Sequence, residues 1–140
     1  MPEPVLSPHA ALVYLMVIVA AADSRMTDSE IQAISHTVSD LPVFRGYDSG
    51  KLFEAAQACT DILQERDGLE TVLALVREAL PEGMTGTAYA IACAVAASDG
   101  SAPQEELRLL EMIRHELDID RLLAVAIESG VGALYRPLPG

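Results

Sequence analysis

Ala10-Ala11-Leu12-Val13-Tyr14-Leu15-Met16-Val17-Ile18-Val19-Ala20-Ala21-Ala22 is an unbroken apolar run of thirteen residues, and the architecture turns on it. A membrane span needs about twenty such residues, so this run is too short to cross a bilayer and reads as a helix buried on nearly every face. Ser7-Pro8 just before it supplies an N-cap followed by proline at the first helical position, which predicts a helix from Pro8 to about Ala22. Ala20-Ala21-Ala22 has the look of an export cleavage site. The preceding segment, however, holds Glu3 and no Lys or Arg where a signal peptide needs positive charge, and export is not expected.

A helix apolar all round needs other helices to cover it, and the rest of the chain supplies them. Thr27 and Glu30 have capping-box spacing, and Ile31, Ile34, Val38 and Leu41 form one stripe of a second helix that stops before Pro42. Residues 42–50 read as a loop pinned by Phe44 and Tyr47, with Asp48 or Ser49 capping the next helix. The third helix runs from Lys51 to about Glu65 on Leu52, Ala55, Ala56, Cys59, Ile62 and Leu63, and the fourth from Leu69 to Leu80, separated by Asp67-Gly68. A fifth, from about Thr85 to Ala97, is again apolar throughout. A sixth begins at Pro103 on the stripe Leu107, Leu110, Ile113 and Leu117, and a seventh spans Asp118 to Ser129, with Gly130 as C-cap and 131–140 as a loose tail. No segment alternates with period two. The expectation is an all-α, single compact bundle of about seven helices occupying residues 1–140 as one domain.

Composition agrees with that class. The 140 residues are 51% hydrophobic but only 4% aromatic, without Trp, so the core is built from Ala, Leu, Val, Ile and Met. Met16, Met26, Met84 and Met112 fit as gap-fillers in it. Nine basic against 21 acidic residues give a net charge of −12, which repels phosphate backbones and anionic lipid, so no nucleic-acid partner and no membrane-embedded segment is expected. Cys59 and Cys93 belong to no metal or redox spacing, which suits a reducing, cytoplasmic setting. His9, His36 and His115 are scattered; Glu111 stands four before His115 as an ordinary helix-face pair. Neither a nucleophile elbow nor a phosphate-cradling glycine motif occurs, and the chain carries no enzyme signature.

The chemistry-bearing feature is a pseudo-repeat of about 8–41 on 85–117. Shifted by 76 positions, Val19-Ala20-Ala21-Ala22-Asp23 falls on Val95-Ala96-Ala97-Ser98-Asp99, Ser24 on Gly100, Glu30 on Glu106, Ile31 on Leu107 and Ile34 on Leu110. Two helical hairpins solving the same packing problem would share their apolar positions. They need not share an Asp closing one helix and a Glu seven positions later in the first turn of the next. Asp23 with Glu30, and Asp99 with Glu106, flanked by Asp28 and Glu105, supply hard oxygen ligands that suit Ca²⁺, Mg²⁺ or Mn²⁺. The competing reading is that these acids only cap helices, favoured there by the dipole. An EF-hand is excluded, since a loop starting at Asp23 puts Arg25 at its third position and Asp28 where glycine is required.

The segments Ala20-Ala21-Ala22-Asp23-Ser24 with Thr27-Asp28-Ser29-Glu30, and Ala96-Ala97-Ser98-Asp99-Gly100 with Pro103-Gln104-Glu105-Glu106-Leu107, resemble the paired acidic turns of the TerB-like tellurite resistance family, over roughly Leu12 to Leu123. Ser24 departs from the usual glycine, and Arg25 places a cation inside the first turn, where it competes for the oxygens of Asp23 and Glu30. The resemblance implies an all-α, non-enzymatic bacterial protein of the cytoplasm, tied to tellurite or general stress resistance, whose acidic residues bind metal. Related domains are attached to membrane-associated co-chaperones. The alternative is a helical adaptor with no metal. Seven acids between Asp99 and Asp120, against Arg108 and Arg114, offer such a module an acidic surface for a protein partner. A homodimer is among the arrangements the sequence leaves open.

Overall fold

The computed structural model describes residues 6–22, 28–98 and 104–140. Among them are seven helices and no strand: α1 (Pro8–Ala20), α2 (Asp28–Asp40), α3 (Leu52–Leu63), α4 (Gly68–Ala79), α5 (Thr85–Ala97), α6 (Gln104–Glu116) and α7 (Arg121–Leu134). The all-α expectation holds, and each helix overlaps its predicted place, α7 running furthest from it. Ser7 caps α1 as expected, its hydroxyl oxygen accepting from the Ala10 amide at 3.1 Å.

α1 is the axis of the molecule. Every residue from Ala11 to Ala20 is buried, because α3, α4 and α5 cover it from different sides. α5 is the second inner helix, with seven of its thirteen residues buried between Ala88 and Ala96 against α1 and α7, and with α2 and α6 along its flanks. The buried residues of all seven helices join into one cluster. Small residues let the inner helices approach closely: Ala11, Ala20, Ala88 and Ala92 are all fully inaccessible.

The connections are tight and individually explained. Residues 42–51 form two short 3-10 turns around Phe44, which is buried, while His9 and Tyr47 stack near it with ring centroids 5.6 and 5.8 Å from its own. The His9 ring donates from Nε2 to the Val43 carbonyl at 2.8 Å and so ties the start of α1 to this elbow. Asp48 caps the second turn through a 2.9 Å bond from the Gly50 amide. Between α3 and α4 the chain reverses through Asp67 at φ 58°, followed by Gly68, where an added Cβ would collide with the Ile62 carbonyl oxygen. α6 ends with Asp118 at φ 53°, and the Ile119 amide bonds back to the Arg114 carbonyl at 3.0 Å, closing the helix in a left-handed cap.

The sequence expectation fails at the end of α7 and in the facing of α2 and α6. α7 does not stop at Gly130 but continues through Gly132 to Leu134, so 131–134 is helix and the tail is shorter than expected. Both glycines face open space, and Ile127 and Val131 pack against the core on either side of Gly130, which outweighs the helix penalty of about 1 kcal/mol per glycine. The stripe of α2 is also rotated from the expected one. Ile31 and Leu41 are 46% and 39% exposed, and the buried set is Glu30, Ile34 and Val38.

Candidate functional site

That rotation defines the site. Glu30, Ile34 and Val38 follow one another at four-residue steps, so the first-turn carboxylate of α2 occupies a core position and Ile31 is turned to the rim. α6 repeats the pattern. Glu106 is buried with Leu109, Leu110 and Ile113, and Leu107 is 49% exposed. Glu30 and Glu106 are each only 1% exposed, and among the described residues they are the two buried charged side chains. Neither stands isolated in the structure.

Asp23 and Asp99, with Arg25, Thr27 and Pro103, lie outside the described residues. Asp28 and Glu105 open α2 and α6 and are exposed. Among the described residues no group of three or more His, Cys, Asp or Glu side chains could hold a metal ion.

One cavity bears on whether the two acidic corners are neighbours. Ala21 and Ala22, where the chain leaves α1 for the first corner, line a space of about 370 Å³ together with Glu105 and Arg108, where it enters α6 from the second. Ile18 and Leu109 floor it. The exit from α1 and the entry to α6 therefore share one end of the helix cluster. The carboxylate of Glu105 and the guanidinium of Arg108 stand on the same wall.

His36 and His115 are exposed, and His9 is committed to Val43. Cys59 and Cys93 are free and buried; burial pushes their thiols up to about 12 and about 11. Tyr89 donates to Glu128 Oε2 at 2.5 Å, locking α5 to α7, and burial and that bond raise its hydroxyl well above the usual phenol range. What the stripe reading missed was the burial of Glu30 and Glu106. The signal was present, since 30, 34 and 38 fit a helical face as well as 31, 34 and 38, but an apolar residue took precedence over an acid.

No helix among the described residues is long and apolar enough to cross a membrane. No curated protein and no solved structure matches the chain. A family model does: that of tellurite resistance protein TerB, over residues 9–127, which takes in α1 to α6 and half of α7. With nearly its whole length so matched, the chain belongs to the TerB family of tellurite resistance proteins.

Proposed function

We propose that this TerB-family chain is a non-enzymatic bacterial stress-resistance protein of the cytoplasm that binds a divalent cation at its paired acidic corners. Glu30 and Glu106 are the inner ligands, Asp23 and Asp99 complete the set, and Asp28 and Glu105 stand at the outer edge. The observation that carries this reading is the burial of Glu30 and Glu106 to 1% exposure at matching positions in the first turns of α2 and α6. Capping and the helix dipole favour an acid in a first turn, but neither requires that it be removed from water. Taking a carboxylate out of water costs several kcal/mol, and a bound cation of hard-oxygen preference would offset part of that cost. The shared cavity at the exit of α1 and the entry of α6 supports corners that lie side by side. Buried, free Cys59 and Cys93 support a reducing compartment.

The oxygen-only donor set favours Ca²⁺, Mg²⁺ or Mn²⁺ over zinc. Tellurium oxyanions are not direct ligands of this site, since like charge keeps them from a cluster of acids. Thermal unfolding of the full chain in chelator and in added Ca²⁺, Mg²⁺ or Mn²⁺ tests the reading. One of the ions at a hundredfold excess over its Kd is expected to stabilise by about 2.7 kcal/mol, and Asp99→Asn with Glu106→Gln is expected to abolish the shift. An identical melt in chelator and in all three ions overturns it.

A further inference from the structure

The 76-residue shift extends beyond the hairpins to two clefts. One, of about 470 Å³, opens between α2 and α3 over Val17 of α1; the other, of about 430 Å³, opens between α6 and α7 over Cys93 of α5. Val17, Ile31, Ile34 and Ala56 of the first cleft correspond to Cys93, Leu107, Leu110 and Gly132 of the second, all at the same offset. The two clefts are therefore quasi-equivalent in wall and floor. Their chemistry has diverged at the remaining shared positions, where Ser35 and Leu52 of the first are replaced by Glu111 and Glu128 of the second. In the second cleft Tyr89 holds Glu128 in place, and Arg114 adds a further charge. An apolar guest there would strip water from charged walls.

The first cleft carries no charged residue in its lining. Phe53, 77% exposed, and Ile31, 46% exposed, stand on opposite lips, and buried Val17 and Ile34 form the base. The α3 wall from Phe53 to Thr60 rises about 10 Å, two helical turns, which matches an amphipathic helix presenting anchors at i, i+3 or i+4, and i+7. Carboxylates flank this wall. On α3, Glu54 follows Phe53 and Asp61 accepts from Gln57 at 3.0 Å, and on α2 exposed Asp28 lies one turn before Ile31; among the described residues of these walls Lys51 is the neighbouring cation. We infer that the α2–α3 cleft is a docking groove for a basic amphipathic helix of another protein. The apolar anchors enter between Phe53 and Ile31 while Lys or Arg side chains meet Asp28, Glu54 and Asp61. A second copy of this chain is disfavoured as occupant, because it brings the same charge of −12 to an acidic rim.

The test is fluorescence anisotropy of the full chain with a labelled 14-residue peptide, Leu at the anchor positions and Lys elsewhere, beside a scrambled peptide of the same composition. The ordered peptide is expected to bind at least tenfold tighter than the scrambled one. Phe53→Ser and Ile31→Ser are each expected to weaken it at least fivefold, while Leu107→Ser, at the equivalent lip of the other cleft, changes it less than twofold. Circular dichroism verifies the fold of each variant, and all three side chains are exposed enough to be dispensable for it. Equal binding of ordered and scrambled peptides, or equal loss in Leu107→Ser and Phe53→Ser, overturns the proposal. A concentration-dependent dimer in sedimentation velocity that Phe53→Ser disperses overturns the choice of occupant in favour of a second copy.

Discussion

Gly68 shows how little latitude single residues have where helices turn. Its missing side chain lets the start of α4 pass against Ile62 and Leu63, and a methyl group would overlap the Ile62 carbonyl oxygen and lie 2.8 Å from the Leu63 Cα. Gly68→Ala is expected to cost about 3 kcal/mol, read as a lower midpoint in urea with unchanged slope. The two thiols give a pH prediction whose sign comes from burial. From a reference of 9.0, Cys93 is raised to about 11 and Cys59 to about 12. Below pH 9 the thiols are protonated in both states and their contribution is complete. Above it the unfolded chain loses those protons while the native chain keeps them, so stability falls as pH rises from 9 towards 11 and 12, by up to about 1.4 kcal/mol per pH unit per thiol. Urea melts at pH 8 and pH 10.5 measure the fall, and Cys59→Ala is expected to make it shallower.

At the scale of elements, the helices were legible because their signals are local. Ser7-Pro8, the Asp67-Gly68 break and the period of the apolar stripes each act within one or two turns. Ser7→Ala removes one such local signal and is expected to cost about 1 kcal/mol in thermal melts. Two features escaped because they depend on neighbours. Gly130 and Gly132 read as a stop, yet packing of Ile127 and Val131 carries α7 past them. Both glycines sit in helix with nothing within 4 Å of a would-be Cβ, so Gly130→Ala and Gly132→Ala are each expected to stabilise by about 0.5–1 kcal/mol, checked by the same melts. The facing of α2 and α6 also lay beyond local reading. Glu30 and Ile31 offer nearly equivalent stripes, and only contact with α1 and α5 decides that the acid turns inward.

Across the whole molecule, the class of fold came from composition, since few aromatics and abundant Ala, Leu and Val leave helices packed at short range as the economical core. The candidate cation residues were legible as a repeated spacing, and Glu30 and Glu106 hold matching places in α2 and α6. The clefts were not legible, because each is made by three helices that only packing assembles. The placement of α1 has a further consequence for synthesis on the ribosome. α1 is the most completely enclosed helix among the described residues, yet α5, which covers one of its sides, is translated some 77 residues later. At ordinary elongation rates that is roughly 4 to 15 s during which a greasy thirteen-residue rod has no full shelter. Nascent Leu12 to Val19 is thus the stretch on which a ribosome-bound chaperone would close, and slowing translation between α4 and α5 would lengthen that exposure.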